Sequence, residues 1–315
     1  MKIAIVGAGA MGSAIGGFFS LGGAEVWLVG HSSAHLDKVR ADGLRMEING
    51  ESVYTPMHTC IQAKDIRETM DLVMISTKGK DVETAIREAL CLFDDHTVCT
   101  GIQNGLGSSD ILLHYVDPLR VCVSIIQLGA SIPAPGTVRV LQRKGAMLSI
   151  GPVAQEEPTE EMSAFAAILS QGGLDAYVMS KSEIQKKIWY KLTANCTSGA
   201  CCAITRLTLG ALTNCTEGAA LKRALLEEIL AVAEAEGVTG LRERVTATQY
   251  WPEDNPMYHH IPSMAQDVCA HKKTEIDFLN GAVVKLGEKH GIPTPCNRVI
   301  VNLIHIMESH YDLMF

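Results

Sequence analysis

The stretch MKIAIVGAGAMGSAIGGFF, from Met1 to Phe19, decides the fold of this 315-residue chain. A short apolar strand leads into three glycines, Gly7, Gly9 and Gly12, and a helical pattern follows at once. The first glycine permits a tight turn, the second lets the backbone approach a pyrophosphate, and the third allows close packing of helix on strand. The helix N-terminus then favours phosphate through its unpaired N–H groups and its dipole. The stretch predicts a dinucleotide site formed by six residues: Gly7, Ala8, Gly9, Ala10, Met11 and Gly12.

A secretory signal peptide is the alternative interpretation of this N-terminus, because one Lys precedes an apolar run rich in small residues. The glycines from Gly7 to Gly17 interrupt that run, and a second strand pattern, Val26 to Val29, follows directly. We therefore expect no targeting segment.

Composition excludes several classes of protein. The net charge is −8, there is no dense block of Lys and Arg, and no apolar run approaches the roughly 20 residues of a spanning helix. We expect a soluble, cytoplasmic protein that binds neither nucleic acid nor membrane. The ten cysteines lie in apolar segments without zinc-ligand spacing, so we expect reduced thiols and no metal site.

The residues after the second strand distinguish the two nicotinamide cofactors. Enzymes that use NAD place a carboxylate there for the ribose 2′-hydroxyl, whereas those that use NADP place a cation and small polar groups. This chain has Gly30-His31-Ser32-Ser33 and no acid. The sequence favours NADP(H), with His31 as a weaker phosphate partner than Arg.

Two polar residues follow later strands at their carboxyl ends, where open α/β sheets bind ligands. Lys78 follows a buried strand and is either a cofactor contact or a surface lysine. Asn104 stands in a glycine turn and serves either the turn itself or a bound carbonyl. Val138–Leu141 is expected to continue the same sheet, and Ala130 to open the loop before it.

Strand patterns give way to helical periodicity from about Ser182. We therefore expect an α/β fold, in which a Rossmann-like dinucleotide-binding domain at residues 1–180 precedes an all-α domain at residues 181–315. Ser182 is the expected cap of a helix from Glu183 to about Thr197. A second long helix is expected from Ser263 to Lys289.

Four motifs together resemble the ketopantoate reductase (2-dehydropantoate 2-reductase) family, and the resemblance runs in order along essentially the whole chain. They are GAGAMG at residues 7–12, IQNGLG at 102–107, WYKLTAN at 189–195 and TEIDFLNG at 274–281. The resemblance implies a Rossmann domain followed by a helical domain, with the active site between them. It also implies NADPH-dependent reduction of 2-dehydropantoate, a step of pantothenate biosynthesis.

The resemblance also implies a role for each matching residue. Lys191 matches the lysine that donates a proton to the carbonyl oxygen. The expected substrate contacts are Asn104, Lys191, Asn195 and Ser263. The expected cofactor contacts outside the glycine turn are His31, Lys78, Asn104, Ala130 and Glu275. Burial would lower the pKa of Lys191, and a nearby Glu275 would oppose that change.

Three positions depart from the family pattern. His31 stands where many members carry Arg, and Gly199 and Leu209 replace two expected substrate asparagines. Losing two amides weakens recognition of a polar hydroxyl group. Two alternatives therefore stay open, a sister oxidoreductase acting on another 2-oxo or 2-hydroxy acid and a non-catalytic dinucleotide sensor. The partners we expect are a small 2-oxoacid and, as an open alternative, a second copy of the chain in a homodimer.

Overall fold

The computed structural model describes residues 1–142, 145, 147–245 and 250–314. The chain divides into two units. The first, the sheet unit, comprises Met1–Gln103 and Ser108–Ile184, and the second, the helical unit, comprises Asn104–Gly107 and Gln185–Phe315. The helical unit is thus built from two separate parts of the sequence. Among the described residues, no helix is both long and apolar enough to cross a membrane.

The sheet unit contains all twelve strands of the described chain: β1 Lys2–Val6, β2 Glu25–Val29, β3 Leu44–Ile48, β4 Glu51–Thr55, β5 His58–Cys60, β6 Leu72–Ile75, β7 Val98–Gly101, β8 Val121–Ile126, β9 Gly129–Ala134, β10 Thr137–Leu141, β11 Leu148–Pro152 and β12 Ala176–Val178. Its helices are α1 Ala10–Leu21, α2 Ala34–Asp42, α3 Val82–Ala89, α4 Ser108–Leu113 and α5 Glu160–Gln171. Seven helices follow along the chain: α6 Lys181–Ala194, α7 Ala200–Thr205, α8 Leu209–Asn214, α9 Thr216–Ala235, α10 Ser263–Cys269, α11 Asn280–His290 and α12 Pro295–Ser309.

Eight strands form one sheet in the order β12-β11-β8-β7-β6-β1-β2-β5. The six from β5 to β8 are parallel, whereas β11 pairs antiparallel with β8. The central strands β1 and β6 are almost fully apolar because helices and loops cover both faces of a parallel sheet. This order is that of a Rossmann-type fold, which confirms the predicted fold class.

A second sheet has the order β4-β3-β10-β9. The prediction that Val138–Leu141 continues the main sheet was wrong, because this segment pairs with β3 and β9 instead. Ala130 does not open a loop either: it lies in β9 and pairs with Val140. Pro133 is compatible with β9 because this strand lies at the edge of the sheet, where a missing N–H costs little.

Helix α1 joins the two sheets of this unit into one apolar core. Phe18 and Phe19 are fully buried, and burial of a side chain of this size contributes roughly 1.5–3 kcal/mol. Gly17 lies against Met46 of β3, where an added Cβ would stand 2.4 Å from the sulfur. The small residues of α1 thus allow a close approach that fixes its N-terminus at the end of β1.

Helix α6 begins earlier than predicted. Ser180 Oγ accepts a hydrogen bond from Glu183 N at 3.3 Å, while Glu183 Oε2 accepts one from Ser180 N at 3.0 Å. This reciprocal pair is a capping box, so Ser180 rather than Ser182 caps the helix. The α-helix ends at Ala194 and continues as a π-helical turn, Asn195–Gly199, which the helical periodicity did not indicate.

The single long helix expected from Ser263 to Lys289 is absent from the described structure. Helix α10 ends at Cys269, a loop follows, and α11 begins only at Asn280. The loop is held by Thr274, whose backbone N and Oγ1 both donate to Glu308 Oε1 at 2.7 Å. These tertiary bonds stabilise a non-helical conformation that local sequence propensity alone does not predict.

Candidate active site

The glycine turn after β1 has little free space around two of its glycines. Gly7 has a φ of +123°, and its N–H donates to Val29 O at 2.8 Å. An added Cβ at Gly12 would lie 2.0 Å from Gly7 O. Gly9 differs, because an added Cβ there would meet no atom within 4 Å. The turn therefore leaves Gly9 open on the side where a pyrophosphate would approach.

The N-terminus of α1 fits a phosphate group. No side chain caps it, and its first turn carries no acidic residue. Ser76 Oγ donates to Gly7 O at 2.6 Å and so fixes the turn from the neighbouring strand. Ser76 was not among the residues predicted for this site. Its position directly after a buried strand could have indicated a role at the carboxyl edge of the sheet.

The carboxyl ends of β2, β1, β6 and β7 lie side by side, since Val6 pairs with both Val29 and Ile75. Gln103 Nε2 ties two of these ends together by donating to the carbonyls of Ile75 and Thr77, both at 2.9 Å. Gln103 Oε1 and Thr77 Oγ1 are buried and have no hydrogen-bond partner among the described residues. The carboxyl edge of the sheet thus holds two buried polar atoms that lack a protein partner among the described residues.

Three of the predicted cofactor residues, His31, Lys78 and Ala130, belong to the sheet unit. Lys78 is exposed and directly follows Thr77, and His31 is exposed after Gly30. Ser33 Oγ accepts a hydrogen bond from Leu36 N at 3.2 Å and so caps α2. Ala130 is half-buried in β9, which packs on α1.

In the helical unit, the turn Asn104–Gly107 is fixed against the loop before α11. Leu106 N donates to Phe278 O at 2.8 Å, and Gly105 has a φ of +92°. An added Cβ at Gly105 would stand 1.9 Å from Phe278 O, so only glycine fits here. Asn104 Nδ2 donates to Glu275 Oε2 at 3.0 Å. Two residues predicted to bind ligands, 171 positions apart in sequence, are therefore in direct contact.

Lys191, on α6, belongs to the same group. Burial lowers the pKa of its ammonium to about 8; the negative charge of Glu275 opposes this fall, and the positive charge of Lys187 adds to it. The direction is the one expected from the sequence. Lys187 was missed, although its position four residues before Lys191 places it on the same helix face. Burial also lowers the pKa of Lys187.

Asn195 and Ser263 lie on two elements that pack against each other. Asn195 is half-buried at the start of the π-turn, and Ser263 is exposed at the start of α10. An added Cβ at Gly199 would lie 3.8 Å from Met264 Cβ, which is ordinary van der Waals contact, so a methyl group would fit at this position.

Leu209 is buried at the start of α8, where its N–H donates to His260 O at 2.9 Å. The aromatic segment from Tyr250 to His260 is attached to the same helix. Asn214 bonds both backbone groups of Trp251, donating to its O at 2.7 Å and accepting from its N at 3.1 Å. Within the part of the chain that the structure describes, no cluster of His, Cys, Asp or Glu is suited to a metal ion.

Two family models cover most of the sequence. The model described as "Ketopantoate reductase PanE/ApbA" matches residues 3–155, and the model described as "Ketopantoate reductase PanE/ApbA C terminal" matches residues 183–308. This chain belongs to the ketopantoate reductase family. It is accordingly an oxidoreductase that acts on a CH–OH group.

Three relatives show how broad this family is. A 2-dehydropantoate 2-reductase of Lactococcus lactis is 29% identical over 312 residues, covering 98% of each chain. The structure of a PanE/ApbA family ketopantoate reductase from Ralstonia eutropha is 30% identical with a TM-score of 0.84, over 99% of this chain and all of that one. A D-mandelate dehydrogenase with NADH and anilino(oxo)acetate is 27% identical with a TM-score of 0.86, over 99% and 100%. Members thus differ in substrate.

Proposed function

We propose that this reductase of the ketopantoate reductase family reduces 2-dehydropantoate to pantoate with NADPH and that Lys191 donates the proton. The observation that supports this most directly is the buried Lys191 ammonium, whose pKa of about 8 leaves it protonated at neutral pH. A proton donor acts best when its pKa lies near the working pH. The resemblance of residues 189–195 to the family motif supports the same role for Lys191.

The nicotinamide supplies a hydride to the carbonyl carbon when it is bound. Lys191 stabilises the negative charge that develops on the carbonyl oxygen and transfers its proton to that oxygen. Glu275 keeps the ammonium protonated, because its charge raises the pKa of Lys191. Asn104 holds the Glu275 carboxylate through its 3.0 Å hydrogen bond. Asn195 and Ser263 are proposed to bind the carboxylate and hydroxyl groups of the substrate.

The dinucleotide is proposed to lie on the glycine turn at residues 7–12, with Lys78, Asn104, Ala130 and Glu275 as further contacts. The open space at Gly9 and the uncapped N-terminus of α1 support this assignment. His31 and the missing carboxylate after β2 support NADPH over NADH. The D-mandelate dehydrogenase structure contains NADH. The ratio of kcat/KM with NADPH to kcat/KM with NADH tests the preference proposed for this chain.

A second candidate substrate is a 2-oxoacid with a larger, less polar side chain. Gly199 and Leu209 favour it: the first leaves space beside Met264, and the second offers an apolar side chain instead of an amide. The similarity to a dehydrogenase that binds anilino(oxo)acetate is consistent with this candidate.

The test is NADPH oxidation by the purified protein with ketopantoate and with a series of aliphatic and aromatic 2-oxoacids, using NADH as the cofactor control. A kcat/KM that is highest for ketopantoate supports the first candidate, and a maximum at an aromatic or branched 2-oxoacid supports the second. No turnover of any 2-oxoacid, together with tight NADPH binding, would refute both. The homodimer and the cytoplasmic location stay predictions, and sedimentation of the purified protein tests the former.

A further inference from the structure

Asn280 belongs to the TEIDFLNG motif, but none of the roles proposed above includes it. Its side chain is completely buried at the first position of α11. Asn280 Nδ2 donates to the backbone carbonyl of Cys196 at 3.2 Å and to Asn297 Oδ1 at 2.9 Å. Cys196 is the second residue of the π-turn that continues α6. Asn280 thus contacts the backbone of the turn that carries Asn195.

A π-turn needs support from outside the helix. Its wide hydrogen-bonding ring is less favourable than that of an α-helix, and such turns are frequent at functional sites. A buried carbonyl requires a hydrogen-bond donor wherever regular helical bonding is interrupted. Asn280 supplies one to Cys196, and Thr197 Oγ1 forms a further bond of 2.8 Å to Thr193 O. The irregular turn is therefore stabilised by side chains.

Asn280 is itself held in place by a buried polar network. Asn297 Nδ2 donates to Glu228 Oε2 at 2.7 Å. The Glu228 carboxylate also accepts from the backbone N of Cys296 at 2.8 Å and of Asn297 at 2.9 Å, at the N-terminus of α12. The network joins α9, α11 and α12 to the π-turn. Buried polar groups that are bonded in this way specify one arrangement of the surrounding elements.

We propose that the Asn280 amide holds the π-turn Asn195–Gly199 in shape and thereby positions Asn195 and Lys191, an inference that rests on the roles proposed above for these two residues. Lys191 lies one helical turn before Asn195 on α6. A change in the shape of the π-turn alters the direction of Asn195 relative to Lys191. Asn280 is in this sense a positioning residue, which contacts neither substrate nor cofactor.

The test compares Asn280→Leu with Val283→Ala. The leucine has a similar volume but donates no hydrogen bond, while Val283 is a fully buried residue of the same helix whose truncation weakens packing only. We expect Asn280→Leu to raise the KM for the 2-oxoacid and lower kcat, each by about tenfold, because small misplacements of reacting groups are costly. Val283→Ala should retain both values, and NADPH affinity should be unchanged in both variants.

Hydrogen exchange of the peptide covering residues 193–202 gives a readout that does not depend on catalysis. Asn280→Leu should exchange about tenfold faster there than wild type, because local stability sets the exchange rate, and Val283→Ala should not. If Asn280→Leu does not fold, Asn280→Ala, which also removes the hydrogen-bond donor, replaces it.

Unchanged exchange at residues 193–202 in the folded Asn280 variant would overturn the proposal. Faster exchange with wild-type kcat and KM would overturn it as well, because the turn would then be supported without affecting Lys191 or Asn195. A wild-type protein that reduces no 2-oxoacid would refute the proposed function separately, and the exchange comparison would then decide alone whether Asn280 holds the turn.

Discussion

Replacing Glu275 by Gln is expected to shift the pH dependence of the reduction to lower pH. The Gln side chain retains an oxygen that accepts the hydrogen bond from Asn104 Nδ2, so the substitution removes the charge while preserving that contact. The Glu275 carboxylate raises the pKa of Lys191 against the effect of burial. Its loss therefore lowers the pKa of Lys191, and the ammonium gives up its proton at a lower pH.

The magnitude follows from the Lys191 pKa of about 8. An opposite charge nearby changes a pKa by about 1 to 3 units, and the smallest of these changes brings the pKa of Lys191 in the variant to about 7. At pH 8 the protonated fraction then drops from about one-half to about one-tenth, and kcat/KM for the 2-oxoacid falls about fivefold. At pH 6 both forms are almost fully protonated, and the two rates should be similar.

The assay is the initial rate of NADPH oxidation between pH 6 and pH 10 at saturating dinucleotide. Asp277→Asn is the matched control, because it removes the same charge two residues away. Asp277 is exposed, and its carboxylate lies 3.0 Å from His305 Nε2. Its profile should coincide with that of wild type. The reverse reaction needs neutral Lys191 as a base, so hydroxyacid oxidation should rise where reduction falls. A Glu275→Gln profile at the wild-type position or at higher pH would refute the role of Glu275.

Three further predictions concern single residues. Lys187→Met should raise the pKa of Lys191 and extend reduction to higher pH, since Lys187 lowers that pKa; a profile shifted to lower pH would contradict this. Gly9→Ala should weaken NADPH binding, measured by fluorescence titration, without changing the melting temperature, whereas Gly12→Ala should lower the melting temperature because its Cβ would clash with the turn. His31→Arg should raise the NADPH-to-NADH ratio of kcat/KM by about tenfold, since Arg binds phosphate through two hydrogen bonds; an unchanged ratio would place the 2′-phosphate elsewhere.

Local patterns predicted the dinucleotide half of the fold. The glycine spacing and the apolar strand before it are encoded within twenty residues and are observed, the strand as Lys2–Val6. The helix begins at Ala10, inside the glycine motif rather than directly after it. The hairpin between β3 and β4 is also encoded locally, because Asn49 and Gly50 both adopt a positive φ that these residue types tolerate. The sequence does not show which sheet a strand joins, so β10 was assigned to the wrong one.

The arrangement of the helical unit depends on contacts between distant residues. Thr274 is not helical because it donates hydrogen bonds to Glu308, which lies 34 positions later in the chain. A single sequence does not show that these two residues are in contact. The π-turn after α6 likewise depends on Asn280, 84 positions away. The motif resemblance nevertheless predicted that Lys191, Asn104 and Glu275 all bind the substrate or the cofactor. Their contact and charge coupling became visible only with the structure.

The discontinuous composition of the helical unit has a consequence for its synthesis on the ribosome. The segment Asn104–Gly107 leaves the ribosome long before Glu275 and Phe278, its hydrogen-bonding partners. Until those residues emerge, Leu106 N and the Asn104 amide have no native partners in this loop. The native fold of the helical unit therefore cannot be completed until Glu275 and Phe278 have emerged, although Asn104–Gly107 was synthesised much earlier.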